Sequence, residues 1–75
     1  MIIRDAEIDA VVLRHSQRQS KVAKVNLVTV LEFESKGARV GEERVAKRIR
    51  ELIRRNRLKA FGDVRLWRWS EIKAI

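Results

Sequence analysis

Apolar positions recur with helical spacing in three stretches of this chain, and each stretch predicts a helix. The helices are expected near residues 5–14, 20–34 and 42–55. Asp5 and Ser20 are the candidate caps of the first two helices, because their short side-chain oxygens can accept backbone N–H groups.

The third stretch has the most regular pattern. Its inward stripe consists of Val45, Ile49, Leu52 and Ile53. Asn56 stands where a residue in the left-handed conformation commonly ends a helix. If this face is buried, truncating Ile49 or Leu52 to Ala costs about 2–5 kcal/mol, whereas truncating the neighbouring Arg48 is expected to cost little.

The second stretch is ambiguous. Leu27–Leu31 is rich in β-branched residues and has the propensity of a strand. A helix is favoured because the preceding Lys21–Lys24 shows no alternation of apolar and polar positions, and Gly37 is expected to end it.

The C-terminal part predicts a β-hairpin. Leu58–Phe61 and Val64–Trp69 are two strand candidates, separated by the turn signal Gly62-Asp63. A short strand near Ala38–Val40 would complete the sheet. The predicted fold class is therefore α+β: one winged helix-turn-helix-like domain over residues 1–75, with three helices followed by a C-terminal hairpin.

The charge is large and unevenly distributed. The net charge is +8, and residues 38–75 hold twelve basic and five acidic side chains. Such asymmetry is typical of proteins that bind a polyanion, most often nucleic acid. A merely solvated basic face is the alternative, and binding to a lipid surface is disfavoured because the basic helix has no large exposed apolar face.

Other bulk features narrow the classes. Without cysteine the chain has neither a disulfide framework nor a cysteine-based zinc site. No signal peptide is visible at the N-terminus, and no apolar run is long enough to predict a membrane span. The expectation is a cytoplasmic protein with no membrane partner.

The third helix carries the one positive functional signal. Between Arg44 and Lys59 there are eight basic residues and one acid, Glu51. In a helix-turn-helix protein this helix enters the major groove of DNA. The sequence thus predicts double-stranded DNA binding through helix 42–55 and a hairpin wing over 58–69. The candidate contact residues are Arg44, Lys47, Arg48, Arg55, Arg65 and Arg68. Pairs such as Glu51–Arg55 are equally typical of any solvated helix.

Two tryptophans in the hairpin support an alternative function. Trp67 and Trp69 are two residues apart and so share one face of the predicted strand. There they either close the small core or contact a partner. Exposed, they could stack on bases or form a protein-interaction or homodimer surface.

Catalytic chemistry is not expected. His15 is the single histidine, and no nucleophile motif surrounds any serine. The glycines are too scattered for a phosphate-binding loop. The sequence predicts a non-enzymatic module with no cofactor and no metal.

Several short motifs resemble an uncharacterised bacterial family catalogued as domain of unknown function 3658. They are Lys21–Val25, Val45–Ile53, Asn56–Leu58, Gly62–Val64 and Trp67–Ile72. The resemblance covers about residues 5–73 and implies a winged-helix-like fold with no settled activity. The chain departs from the family at Asn56, where Gly is usual, and at Lys59, where an acid is common.

Overall fold

The computed structural model describes residues 2–62 and 69–75. These residues form three α-helices and one three-stranded antiparallel sheet. In chain order the elements are α1 (Asp5–His15), β1 (Ser20–Lys21), α2 (Val22–Ser35), α3 (Glu42–Arg54), β2 (Leu58–Phe61) and β3 (Glu71–Ala74). The α+β class and the three predicted helices are confirmed.

The ambiguous second stretch is a helix because its apolar positions meet the core once per turn. Val25, Thr29 and Phe33 are buried at intervals of four residues. The buried Thr29 hydroxyl donates to the Val25 carbonyl at 2.7 Å, so its polar atom has a partner inside the helix. Burial at helical spacing therefore outweighs the strand propensity of Leu27–Leu31.

Two helices end in the same hydrogen-bonded cap, as the sequence predicted. Gly37 has φ 78° and Asn56 has φ 59°, both in the left-handed region. After α2, the Gly37 N–H donates to the Glu34 carbonyl and the next N–H donates to Phe33. The two N–H groups after α3 bind in the same pattern. This is the Schellman motif, in which Asn can replace Gly.

The predicted caps of the first two helices were each wrong by one residue, because Arg4 and Lys21 take the cap positions. Arg4 occupies the cap position of α1, and its N–H donates to the Glu7 carboxylate at 2.9 Å. Ser20 does not cap α2, because it is paired with Ile72 in the sheet. The first N–H of α2, that of Val22, instead donates to the Ser70 carbonyl at 3.0 Å.

The first predicted hairpin strand, Leu58–Phe61, is observed as β2, but its partner in the sheet is Glu71–Ala74. The strand order is β1-β3-β2, and Phe61 of β2 is opposite Glu71 of β3. Residues 62–70 therefore connect β2 to β3, so a two-residue turn at Gly62-Asp63 is not the connection between these strands. Most of the predicted strand Val64–Trp69 lies outside the described residues; Trp69 precedes β3.

The predicted strand at Ala38–Val40 was also wrong. This segment is not paired in the sheet, and β1 supplies the third strand instead. Ala38 and Val40 are nevertheless buried, because their side chains fill the core between α2 and α3. Ile72 of the central strand and Leu58 of β2 close the core on the sheet side.

Candidate nucleic-acid interface

The face that α3 turns to solvent is basic. Val45, Ile49 and Leu52 are buried, as the periodicity predicted. Lys47, Arg50 and Arg54 follow one another at intervals of three and four residues and are exposed. This spacing places them on one side of the helix, opposite the buried stripe. We call these three residues the basic row.

Arg48 belongs to a different side of α3. Its Nε and Nη2 donate to the two carboxylate oxygens of Asp9 on α1, each at 2.8 Å. The two side chains are only 16% and 17% exposed. The hydrogen bond to Asp9 raises the pKa of Arg48, so the guanidinium stays charged. Such a two-point pair fixes the orientation of α3 against α1.

Arg44 extends the same contact by one helical turn. Its Nη2 lies 3.0 Å from a carboxylate oxygen of Asp5 and also donates to the Ile3 carbonyl. Asp5 and Asp9 are four residues apart, and so are Arg44 and Arg48, so two ion pairs lie in the same order along both helices. Both arginines were predicted to contact DNA; in the structure they join α3 to α1.

Glu51 is the acid within the basic region. Its carboxylate accepts hydrogen bonds from Arg54 Nε at 3.0 Å and from Arg55 Nε at 2.8 Å. The bond from Arg54 is the main cause that lowers the pKa of Glu51 to about 2. One carboxylate is thus shared by two arginines, which leaves a net positive charge at the end of α3.

The outer face of the sheet adds two lysines. Lys59 of β2 and Lys73 of β3 are directly opposite each other and both are exposed. Like charges in this relationship destabilise a strand pair. The Lys59 ammonium also lies 5.3 Å from the centre of the Phe61 ring, within cation–π range. The pair therefore concentrates positive charge without a stabilising role in the strand pairing.

Trp69 is on the surface. Its side chain is 72% exposed, and the Lys21 ammonium lies 5.9 Å from the centre of its ring. Of the two open interpretations for this residue, contact rather than core fits its position. Trp67 and the predicted contact residues Arg65 and Arg68 lie outside the described residues.

A groove of about 420 Å³ separates α2 from α3. Asn26 lies in it and donates through Nδ2 to the Glu42 carbonyl at 3.1 Å, which joins α2 to the first turn of α3. Its Oδ1 is buried without a hydrogen-bond partner among the described residues. Two acidic side chains, Glu42 and Glu43, and one basic side chain, Arg50, also line the groove.

His15 has a structural partner on α2. Its Nε2 is 3.0 Å from a carboxylate oxygen of Glu32, which also binds Arg14. Burial acts to raise the pKa of Glu32, but the hydrogen bonds from His15 and Arg14 outweigh it and lower that pKa. The histidine thus helps to join α1 to α2.

A cluster of potential metal ligands and a membrane-spanning helix are both absent from the described residues. Nowhere in residues 2–62 and 69–75 do three His, Cys, Asp or Glu side chains lie together as potential metal ligands. In the same ranges, no helix has the length and apolar character needed to cross a membrane.

Compared with protein-family models, curated proteins and solved structures, the chain matches none. The resemblance to the bacterial family therefore stays a prediction.

Sequence reasoning missed part of the candidate interface. It selected Lys47 and Arg55, which are exposed, but not Arg50, Arg54 or Lys59, which are exposed as well. The signal for Arg50 and Arg54 was present, because both are at helical spacing from Lys47. The Lys59–Lys73 pair depends on the strand register, which the sequence does not show.

Proposed function

We propose that this protein is a winged-helix-like module that binds double-stranded DNA, mainly through phosphate contacts. The order of its elements supports the fold assignment. A winged helix has one strand between its first two helices, and this strand pairs with the last strand of a C-terminal hairpin. The observed order β1-β3-β2 agrees with that topology.

The basic row is the observation that carries the functional proposal. Lys47, Arg50 and Arg54 lie on the exposed side of α3, the helix that helix-turn-helix proteins present to DNA. Arg55 and Arg57 continue this exposed charge toward β2. Exposed lysine and arginine side chains that contact phosphates displace their counterions, which drives association.

The charge distribution along α3 selects which end approaches the nucleic acid. Glu42 and Glu43 in the first turn stabilise the helix but repel phosphate. Arg48 is paired with Asp9 and only 16% exposed, and Arg44 is paired with Asp5 although it stays 40% exposed. The basic row, which follows these first-turn acids, is therefore the surface that meets the DNA backbone, and the exposed Lys59 and Lys73 of the sheet are further candidate contacts. Contacts of this kind position a protein without reading sequence.

A salt-dependent titration tests this proposal. Binding to a labelled mixed-sequence duplex is measured by fluorescence anisotropy at several salt concentrations. If four to six phosphates are neutralised, log affinity falls with log salt at a slope of about −4 to −5. Affinity then drops by a few hundredfold to a thousandfold between about 50 mM and about 200 mM salt. A flat salt profile, or no binding at low salt, would contradict the proposal.

A charge-matched pair of variants locates the interface. The triple change Lys47→Glu, Arg50→Glu and Arg54→Glu reverses the basic row and is expected to abolish binding. The control reverses three exposed basic residues elsewhere: Arg18→Glu, Lys36→Glu and Arg39→Glu. Both variants have the same net charge, so a loss confined to the first assigns binding to α3 rather than to total charge. Circular dichroism verifies that both are folded.

The exposure of Trp69 favours a second candidate function, a protein-interaction module. A tryptophan that is 72% exposed presents a large apolar surface of the kind found in protein interfaces. In a Trp67→Phe background, Trp69 fluorescence reports on this position alone. Quenching by duplex DNA would assign Trp69 to the nucleic-acid surface. Unchanged Trp69 fluorescence during saturable DNA binding would favour a role of this residue in binding a protein partner.

A further inference from the structure

The outward face of α2 carries an apolar pair between two opposite charges. Leu27 and Leu31 are one helical turn apart and each is 50% exposed. Lys24 lies three residues before this pair and Glu34 three residues after it, and both are exposed. Neither charged side chain makes an ion pair with another described residue. The face is thus symmetric in spacing and opposite in charge at its two ends.

We propose that this face forms an antiparallel homodimer in which α2 packs against α2 of a second copy. A two-fold axis that places Leu27 of one copy over Leu31 of the other also places Leu31 over Leu27. The same axis brings Lys24 opposite Glu34 of the partner subunit, and Glu34 opposite the partner's Lys24. Such self-complementarity is what a two-fold interface requires. Four leucines would be covered between two ion pairs.

The charges also select this arrangement over others. In a parallel pairing of the same faces, Lys24 would lie against the partner's Lys24 and Glu34 against the partner's Glu34. Like charges at such short range are unfavourable, so they act against the parallel form. The leucines supply the attraction in either orientation, and the charges fix the direction.

The expected association is weak and reversible. Two helices in contact over about three turns bury less than the roughly 1,200 Å² of standard stable interfaces. The dimer should therefore appear as protein concentration rises from the micromolar to the millimolar range. This contact is independent of the basic row on α3, so a failure to dimerise leaves the DNA-binding proposal standing, and the reverse is also true.

Sedimentation equilibrium of the wild-type chain over that concentration range is the first test. A monomer at every concentration would overturn the proposal; a monomer–dimer equilibrium is the expected result. Leu31→Lys is expected to weaken the dimer at least tenfold, because it places an ammonium in the apolar contact. Ile2→Lys is the matched control, because Ile2 is also an exposed aliphatic residue but lies outside α2. The dimerisation constant of this variant should equal that of wild type.

A charge-swap experiment distinguishes this interface from any other use of the same leucines. Lys24→Glu alone and Glu34→Lys alone each replace two attractive pairs with two repulsive ones. Each is expected to weaken the dimer about tenfold. The double variant Lys24→Glu with Glu34→Lys restores both pairs with reversed polarity, so its dimerisation constant should return to within threefold of wild type.

The charge-swap variants test the proposal even if Leu31→Lys does not fold, because Lys24 and Glu34 are both on the surface. A double variant as weak as the single variants would overturn the antiparallel pairing. Two single variants that dimerise as well as wild type would overturn it also.

Discussion

Arg48 binds Asp9 through two parallel hydrogen bonds of 2.8 Å between α3 and α1. Both side chains are largely removed from solvent. A second pair, Arg44 with Asp5, repeats the contact one turn away. The helix with the highest positive charge is therefore oriented by two of its own arginines, and the less exposed of them, Arg48, adds little to the surface available to a ligand.

Arg48→Ala should destabilise the fold by about 2 kcal/mol, because Asp9 would lose two charge-assisted hydrogen bonds at a poorly solvated position. The expectation from sequence alone was a small effect, and the ion pair reverses it. Urea unfolding measures the difference. Lys47→Ala is the matched control, one residue away and exposed, with an expected change within about 0.5 kcal/mol. Equal effects of the two substitutions would show that the ion pair contributes nothing.

The same ion pairs are a feature that the sequence did not predict, although it predicted the helices that carry them. Periodicity predicted the three helices, and the cap positions Gly37 and Asn56 followed from local conformational preference. Asp5 was predicted only as a helix cap, which is a local explanation, and Asp9 was assigned no partner. Their actual partners are 39 residues away. A contact of that range depends on how the helices pack, which a single sequence does not specify.

The sheet was predicted less well for a related reason. β1 has two residues, Ser20 and Lys21, too few to produce an alternating pattern. β3 is defined by pairing on both sides rather than by its composition. Gly62-Asp63 favoured a tight turn, but the register places the connection over residues 62–70. The strand bounds therefore depend on long-range pairing, which local sequence signals do not show.

Asn56 gives a prediction about the end of α3. Its φ of 59° is strained for residues with a β-carbon, and Asn tolerates it better than most. Asn56→Ala should destabilise the fold by about 1 kcal/mol, whereas Asn56→Gly should be neutral or slightly stabilising. Thermal unfolding followed by circular dichroism measures both. If the alanine variant is as stable as the glycine variant, the left-handed cap does not limit this position.

Glu51 gives a prediction about pH. Its pKa is lowered from 4.5 to about 2 in the folded chain. A lowered folded-state pKa contributes stability above the unfolded-state value, and this contribution is lost as pH falls toward the folded-state value. The stability difference between wild type and Glu51→Gln should therefore be constant down to about pH 5 and shrink between about pH 4.5 and about pH 2. Urea unfolding at a series of pH values measures it.

Glu43→Gln is the control for this experiment, because Glu43 is exposed in the first turn of the same helix. At pH 7 its effect on stability should be smaller than that of Glu51→Gln. If the Glu51→Gln difference does not change with pH, the hydrogen bonds from Arg54 and Arg55 are not maintained in solution.

The Lys59–Lys73 pair gives a prediction that links stability to binding. Removing one charge by Lys73→Gln relieves a repulsion between directly opposite residues and should stabilise the free domain by about 0.5 kcal/mol. Lys59→Gln should stabilise less, because it also removes the cation–π contact with Phe61. The double variant should gain less than the sum, because the repulsion is already gone after the first change. Unfolding of the four proteins in urea measures this coupling.

The same substitutions should weaken DNA binding while they stabilise the fold. Each phosphate contact that is lost reduces the slope of log affinity against log salt by about 0.9. Lys36→Gln, which removes an exposed lysine at the end of α2, should leave that slope unchanged. Variants that are more stable but bind DNA more weakly would show that the lysine pair costs stability in the free domain and contributes to binding a polyanion. If affinity and slope are unaffected by removal of both lysines, the DNA surface is confined to α3.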